Sequence, residues 1–379
     1  MKVGVFSAKS HEEAKKKVNS IIEKGLNPTL AIVFASVSTD LTGIRNVMRE
    51  TGVKLFGASS SGEILACEGC INSRVVLEKS IVGALIDINE RLFETRMFDA
   101  QDQDPTTLGE KVASWGMEIF EEPAFLILGS GIQLDADGLL EGILRKVKHN
   151  TPIIGGIAGD DGAFKETYVF NEDTENNFGV LVTVFDSKKL EINNIAANGW
   201  TGIGTEKKVT KSNGNVVISI DNTPAAELYS EYLNIAVEEI PKIGVEYPLL
   251  LKREDGGYIL RAVIGANPKQ KSLITAGKIP EGSTIMFSAA AGTGATENVK
   301  EVMKEFSREV KDAEFIILFS CVARHLAIGP LAEEEIIEAE KLWKAPIIGY
   351  FTYGGFGRLI GRNYDFHNET ISLAIMKEK

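Results

Sequence analysis

Two segments rich in glycine and small residues carry polar side chains that could bind a small ligand. One spans residues 57–63 (GASSSGE) and the other residues 155–162 (GGIAGDDG). Turns without bulky side chains expose backbone N–H groups, which can hold a carboxylate or a phosphate. The hydroxyls and carboxylates beside them would suit a ligand such as an amino acid. The candidate ligand-binding residues are Ser59, Ser60, Ser61, Gly62, Glu63, Asp160 and Asp161. The alternative is that the small residues only permit tight turns and close packing.

A cysteine and an arginine follow a third segment, the apolar run at residues 315–320. They are Cys321 and Arg324. An arginine at the end of a strand can bind a ligand carboxylate through two parallel hydrogen bonds, so Arg324 is a candidate ligand anchor. The alternative is an ion pair with one of the three glutamates at residues 333–335.

Catalysis is the weaker interpretation of these residues. Cys321 would be a nucleophile only if a base lay beside it, and the chain has just four histidines. No G-x-S-x-G motif supports a serine nucleophile. The residues therefore favour binding, and the alternative is a cysteine- or serine-dependent hydrolase of a small amide or ester.

Cys67 and Cys70 have the C-x-x-C spacing of redox and zinc motifs. A redox motif normally opens a helix after a strand, whereas this pair lies in a segment rich in Gly and Asn. A zinc site would need Cys321 and His325 to complete four ligands across the fold. We therefore predict no metal and no cofactor.

The elements that must position these residues recur three times along the chain. Three apolar runs, at residues 31–36, 125–130 and 315–320, each end in serine. The interval from Ser130 to Ser320 is close to twice that from Ser36 to Ser130, which indicates internal repetition. Each run lies between two segments of helical periodicity, and each second helix leads to a strand that ends in glycine.

The predicted unit is strand–helix–strand–helix–strand, a glycine-rich turn and a closing hairpin. Residues 3–6, 95–98 and 284–287 are predicted as the three first strands. Helical crossovers make the first three strands of a unit parallel, and we expect the closing strands to form antiparallel edges. The fold class is thus α/β, with mixed sheets flanked by helices and built from internal pseudo-repeats in two domains.

Residues 190–283 break the repeat and indicate an inserted module. A loop-rich, glycine-containing junction opens this interval, and two further strands in it are predicted to form a hairpin. We place the domain boundary near residue 220. Residues 1–220 then hold two repeat units, and residues 221–379 hold the inserted module and the third unit.

Composition excludes several classes of protein. The 379 residues carry a formal net charge of −12, which opposes binding to nucleic acid in the absence of a basic stripe. The sequence contains no run of 18 apolar residues, so it predicts no membrane-spanning helix. The N-terminal apolar stretch is too short for a signal peptide, and three cysteines do not suit a secreted disulfide framework. We expect a cytoplasmic protein.

Several motifs together resemble a known family. Residues 57–64 (GASSSGEI) resemble the signature turn of the N-terminal part of FIST sensory domains. Ser320-Cys321-x-x-Arg324, residues 346–354 (PIIGYFTYG) and His367-Asn368-x-Thr370 resemble the C-terminal part. The order and spacing agree from about residue 27 to residue 375. Related sequences tend to have Glu where Gly355 stands, which removes one expected polar ligand contact.

The resemblance implies a signal-input module that binds a small ligand, with amino acids or their derivatives as the proposed class. It also adds Tyr353 and Gly354 to the expected ligand-binding residues. Family members are often fused to histidine kinases, cyclases or methyl-accepting segments. Because the two parts fill this chain, we expect a stand-alone sensor that passes its signal to a separate histidine kinase or cyclase. The ligand should lie between the two domains or at the ends of the strands.

Overall fold

The computed structural model describes residues 1–68, 75–290 and 292–379. The first unit alternates apolar strands with short amphipathic helices, and side chains fix where the helices begin. Ser10 accepts a hydrogen bond from the N–H of Glu13, and Asp40 accepts one from the N–H of Gly43. The elements are β1 (Lys2–Ala8), α1 (His11–Glu23), β2 (Leu30–Ser36), α2 (Leu41–Thr51), β3 (Lys54–Ser60), β4 (Glu63–Ala66), β5 (Val76–Leu77) and β6 (Ile81–Asp87).

The second unit repeats this order after a 3₁₀ turn at Glu90–Leu92. Pro105 opens its first helix, and Asp104 caps that helix by accepting from the N–H of Thr107. The elements are β7 (Phe93–Asp99), α3 (Pro105–Ile119), β8 (Pro123–Gly129), α4 (Ala136–Leu144), β9 (Ile153–Ile157), β10 (Val169–Phe170), β11 (Glu175–Asn176) and β12 (Gly179–Asp186).

The third unit begins with a strand and is then interrupted by the inserted module. The strand is β13 (Leu190–Ala197). The insert, residues 201–289, comprises β14 (Thr201–Asn213), β15 (Val216–Ile220), β16 (Thr223–Pro224), α5 (Ala225–Leu233), a 3₁₀ turn (Val237–Glu239), α6 (Ile240–Ile243), β17 (Leu249–Lys252), β18 (Tyr258–Arg261), β19 (Val263–Asn267), β20 (Ser272–Thr275) and β21 (Thr284–Ala289). The unit then continues with α7 (Gly294–Glu309), β22 (Phe315–Cys321), α8 (Val322–Ile328), α9 (Leu331–Trp343), β23 (Ile347–Thr352), β24 (Gly355–Arg358), β25 (Tyr364–His367) and β26 (Ile371–Glu378).

Each unit builds a six-stranded mixed sheet, so the predicted fold class is confirmed. The orders are β1-β6-β2-β3-β10-β11, β7-β12-β8-β9-β24-β25 and β13-β26-β22-β23-β4-β5. The strands that flank the second helix of each unit run parallel, as in β2 with β3. The expectation that the closing strands form the edges was wrong. β6, β12 and β26 each lie inside a sheet and pair antiparallel with a neighbour on both sides, which saturates their backbone groups.

The three units exchange hairpins in a closed ring. Hairpin β4–β5 of the first unit pairs with β23 of the third. Hairpin β10–β11 of the second unit pairs with β3 of the first, and hairpin β24–β25 of the third pairs with β9 of the second. Every one of these six-stranded sheets therefore contains strands from two units.

The prediction that residues 284–287 form the first strand of the third unit was wrong. β21 pairs with β14 and β17 inside the insert, whose own sheet has the order β18-β17-β21-β14-β15-β20-β19. β13 occupies the first-strand position, because it pairs with β26 as β1 pairs with β6. The predicted hairpin of the insert is formed by β17 and β18.

The sheets pack around a shared apolar core. Their inner faces contribute Phe34, Leu126, Phe319 and Tyr350, together with Ala374, to one buried cluster. The helices cover the outer faces, each unit with a second core of its own, and the insert has a fifth core. Among the described helices, none is both long and apolar enough to cross a membrane. The predicted boundary at residue 220 falls at the end of β15, inside the insert. The strands before and after it still belong to one sheet.

Candidate functional site

A cavity of about 570 Å³ lies where the second unit, the third unit and the insert meet. We call it the interunit cavity. The segments after β8 and β22 open onto it, and in open α/β sheets ligands collect beyond such carboxyl ends. Its lining comprises residues 131–137, 214–215, 275–278 and 321–323, with Ile157, Phe164, Ile264, Tyr353, Phe366 and Asn368. Its volume falls in the range of small-ligand pockets.

Two stacked aromatic rings form one wall of the interunit cavity. The rings of Tyr353 and Phe164 are nearly parallel, with centroids 4.4 Å apart. The Tyr353 hydroxyl donates to Oδ1 of Asp160. Burial, and then this hydrogen bond, raise the pKa of Tyr353 to about 12, so the phenol stays protonated at neutral pH.

Asp160 shapes the loop that carries Phe164. Its carboxylate accepts from the backbone N–H groups of Phe164 at 2.8 Å, Lys165 at 2.6 Å and Glu166 at 3.0 Å. Phe164 has a φ of 51°, a left-handed conformation that costs free energy in a non-glycine residue. The carboxylate therefore holds the loop in the conformation that places Phe164 over Tyr353.

Cys321 and Asn368 are buried residues of the cavity lining, and the next residue along the chain, Glu369, has a buried carboxyl. Neither Oδ1 nor Nδ2 of Asn368 has a hydrogen-bond partner among the described residues, and the side chain is fully buried. The same holds for both carboxyl oxygens of Glu369. Burial raises the pKa of Glu369, although the Arg324 guanidinium opposes the shift. Burial, and then the Glu369 carboxyl, raise the pKa of the Cys321 thiol. The Cys321 thiol is therefore protonated at pH 7.

The protonated state of Cys321 bears on the hydrolase alternative. A cysteine nucleophile reacts as the thiolate, which a raised pKa disfavours. Within the described part of the chain, no hydrogen bond joins Cys321 to a histidine. The ring of His325 instead stacks on Phe351, with centroids 4.1 Å apart, and burial lowers the pKa of its imidazole.

Arg324 is buried away from the cavity lining. Its Nε donates to Oε2 of Glu335 at 3.0 Å, its Nη2 donates to the other oxygen, and its Nη1 donates to the carbonyl of Glu369 at 3.2 Å. The guanidinium also lies over the ring of Trp200. Glu335, one of the three glutamates expected as alternative partners, thus forms an ion pair with Arg324. The contacts of Arg324 hold α8, α9 and the segment after β25 together.

The serine-rich turn forms a buried network of its own. Ser60 Oγ donates to one oxygen of Glu63, and the backbone N–H of Ser80 donates to the other at 3.0 Å. Ser59 Oγ donates to the carbonyl of Gly159 at 2.6 Å, and Ser61 Oγ accepts from Gly162 N–H. Burial outweighs these bonds and raises the pKa of Glu63 to about 7.

The remaining predicted residues also serve the turns. Asp161 accepts a 2.6 Å hydrogen bond from Ser36 Oγ. Gly62 and Gly354 have φ of 111° and 126°, values that favour glycine, and their carbonyls accept from the N–H groups of Phe351 and Ile157. Of the residues predicted to bind a ligand, only Cys321 and Tyr353 line the interunit cavity.

Ion pairs fasten the insert to the cavity rim. Lys278 Nζ donates to Asp135 Oδ2, and the Lys278 N–H donates to Asp137 Oδ2 at 3.1 Å. Buried Arg261 donates to Asp137 Oδ1 at 2.6 Å and to the carbonyl of Phe366 at 2.7 Å. The cationic groups at this rim are thus bound to carboxylates of α4 and its N-cap.

Sequence reasoning missed Asn368 and the contribution of the insert. The His367-Asn368-x-Thr370 motif contains Asn368, but the motif indicates only the family resemblance and not a ligand contact. Cys70 lies outside the described residues, so the C-x-x-C interpretation is untested. In the residues that are described, no group of three or more His, Cys, Asp or Glu side chains is arranged to hold a metal ion.

Comparison with known families matches nearly the whole chain. The FIST N domain matches residues 29–223, and the FIST C domain matches residues 225–358. The two matches follow each other directly and cover all the segments that line the interunit cavity except Phe366 and Asn368.

Three curated relatives that match the chain are named only as uncharacterized proteins. An uncharacterized protein of Mycobacterium bovis is 22% identical over 236 residues, covering 59% of this chain and 60% of the relative. An uncharacterized protein of Mycobacterium tuberculosis matches to the same extent. An uncharacterized protein of Methanocaldococcus jannaschii is 27% identical over 200 residues, covering 48% of this chain and 38% of the relative. The chain thus spans about three fifths of the first two relatives' length.

Proposed function

The chain belongs to the FIST family, and we propose that it senses an amino acid or a related polar metabolite bound in the interunit cavity. FIST domains are associated with sensory signal transduction and small-ligand binding. The observation that carries the proposal is the cavity itself, which combines ligand-sized volume, an aromatic wall and strand ends from two units.

The proposed ligand contacts are Cys321 and Tyr353, together with Asn368. In this proposal the other residues predicted from the sequence do not contact the ligand but position the groups that do. Asp160 holds the loop of Phe164, Arg324 holds α8, and the serine-rich turn with Glu63 and Asp161 fixes the junction of the units. A ligand contact by these groups would need their present hydrogen bonds to break.

The signal is proposed to leave through the insert. Ligand bound in the cavity would contact residues 275–278 of the insert as well as both units, so occupancy can change how tightly the insert is held. We propose a separate histidine kinase or cyclase as the receiver and the cytoplasm as the location. Ligand-dependent co-purification of such an enzyme from the source cells would support this part of the proposal.

A thermal-shift screen of amino acids, their amides and organic acids tests the proposal. A ligand that binds only the folded protein raises the Tm, and the shift grows with ligand concentration. We expect at least one compound to raise the Tm of the wild type but not of Ala276→Phe, which fills the cavity from the insert. Ile203→Phe, on an exposed strand position outside the cavity, is the control and should keep the shift. A broad panel without a hit would contradict the proposal.

A further inference from the structure

We propose that the interunit cavity recognises an uncharged planar amide, bound by the side chain of Asn368. This inference rests on the proposed function, because it specifies which ligands that cavity selects. It identifies the preferred class as uncharged amide derivatives of apolar amino acids.

The first observation is the unused hydrogen-bonding capacity of Asn368. The side chain is fully buried and lines the cavity, yet its Nδ2 donor and Oδ1 acceptor both lack a partner in the described protein. Buried side-chain polar atoms nearly always have partners, so an orphan donor and acceptor on one residue call for an explanation. The amide has almost no accessible surface, so a turn of the side chain into the adjoining cavity would let a ligand supply both partners at once.

The second observation is that the backbone holds Asn368 in place. Its carbonyl accepts from Thr370 Oγ1 at 2.8 Å, and the Thr370 carbonyl accepts from Cys321 N–H at 3.0 Å. On the other side, the Glu369 carbonyl accepts from Arg324, and Glu369 itself has a φ of 53°. The backbone of this segment is thus fixed to β22 and α8, which keeps Asn368 beside the cavity whether or not a ligand is bound.

The chemistry of an asparagine amide defines its complement. It presents one acceptor and one N–H donor side by side in a plane, so a second amide can pair with it through two hydrogen bonds. A carboxylate has acceptors only. It would accept from Nδ2 but place a negative oxygen against Oδ1.

The charges around the cavity point the same way. Lys278 supplies the ammonium at the rim, and its Nζ already binds Asp135. The second carboxylate there, Asp137, is bound by Arg261 and by the Lys278 N–H. A ligand carboxylate could pair with Lys278 only by competing with Asp135, whereas a neutral amide needs no cation.

The rest of the cavity suits an apolar body. Tyr353, Phe164 and Phe366 present aromatic rings, and Ile157, Leu134 and Val322 present aliphatic side chains. A hydrophobic amino-acid side chain attached to the amide would bury its surface there. The lining therefore offers apolar and aromatic contacts beside Asn368, together with the polar residues Gln133, Asn215 and Thr275 and the ion-paired Lys278.

Titration calorimetry with matched probes tests the inference. The probes are N-acetyl-L-phenylalaninamide, N-acetyl-L-phenylalanine and L-phenylalanine, with the three corresponding leucine compounds. Within each set the probes share a side chain and differ in the charge and hydrogen-bonding groups of the backbone ends. We expect the neutral amide to bind wild type at least tenfold more tightly than the matching acid or free amino acid.

Two variants connect this preference to Asn368. Asn368→Leu keeps the approximate size and should weaken binding of the neutral amide at least tenfold. Asn368→Asp replaces the donor by a second acceptor, so it should weaken binding of the neutral amide by removing one of its two hydrogen bonds, while the acid probe remains disfavoured by like charge. Asn363→Leu, at an exposed asparagine outside the cavity lining, should bind like the wild type.

The outcomes separate this inference from the proposed function. If free amino acids or acids bind as well as the amides, amide recognition is overturned while ligand sensing stands. Amide recognition is likewise overturned if the thermal-shift panel gives a ligand but none of these amides binds. If no compound binds in either experiment, the proposed function itself fails. The wild-type comparison decides between these outcomes even if a variant does not fold.

Discussion

Glu63 illustrates how a residue chosen for its chemistry can serve the structure instead. Its carboxyl is fully buried and bonded to Ser60 and Ser80, although burial still raises its pKa to about 7. In the unfolded chain the pKa returns to about 4.5. Between these two values the folded state binds more protons than the unfolded state, so the free energy of unfolding falls as the pH rises.

We therefore predict that Glu63→Gln makes stability less dependent on pH. Across the interval from pH 4.5 to 7, ionisation of Glu63 should cost the wild type roughly 3 kcal/mol, since each pKa unit corresponds to about 1.4 kcal/mol. Urea unfolding at pH 5 and pH 8 measures this. The stability of the variant relative to wild type should be higher at pH 8 than at pH 5. Glu23→Gln, at an exposed site on α1, is the control. An equal pH slope in all three proteins would refute the assignment.

Residue types and local spacing identified the small-residue turns but not their partners. Arg324 meets Glu335 eleven positions away, yet Asp161 meets Ser36 across 125 positions. A sequence displays which groups could bind a ligand, whereas tertiary contacts decide which are already satisfied. Asn368 is the converse case, since a lone asparagine at a strand end gives no sign that its amide will be buried without a partner in the described chain.

At the scale of elements, close packing explains why each third strand contains a glycine. A Cβ on Gly155 would lie 1.8 Å from the Ile127 carbonyl oxygen, and one on Gly349 would lie 2.1 Å from that of Leu318. These carbonyls belong to the parallel neighbouring strands, β8 beside β9 and β22 beside β23. At Gly57 the obstacle is instead the ring of Phe170 on the exchanged hairpin, 2.2 Å away.

Gly349→Ala should therefore destabilise the third sheet. Because the clash is with backbone and not with a flexible side chain, we expect a loss of about 1–3 kcal/mol in the free energy of unfolding. Gly265→Ala is the matched control, since its Cβ would come no closer than 3.8 Å to the side chain of Ile274. Urea unfolding of both variants checks this. Equal stabilities would show that the sheet relaxes around the added methyl.

Elements with long apolar runs were predictable, and the short ones were not. β2, β8 and β22 are each seven residues long and fully buried, so their sequences are almost continuously apolar. Hairpin β10–β11 has strands of only two residues, too short for a periodic signal. The exchange of hairpins depends on such short strands, which is why the sequence did not reveal it.

At the scale of the whole molecule, the ring of exchanged hairpins makes the units interdependent. Every six-stranded sheet uses strands from two units, and the core between the sheets is common to all three. The sequence boundary at residue 220 remains a prediction about the chain. In the folded chain, strands from both sides of this boundary are needed to complete the same sheets.

Fragments cut at this boundary should not fold alone. Residues 1–220 lack β24 and β26, so β9 loses one of its partners, β13 loses its own, and the shared core is opened. We expect neither residues 1–220 nor residues 221–379 to unfold cooperatively on heating, while co-expression of the two restores a transition. A sharp transition in the isolated first fragment would show that its two units are an independent domain.

A crystal structure with the tightest-binding compound from the thermal-shift panel tests the central claim most directly. The claim predicts that compound in the interunit cavity, against Tyr353 and Cys321, with a polar group within hydrogen-bond distance of the Asn368 amide. A compound bound instead at the serine-rich turn, or anywhere outside the cavity, would contradict it.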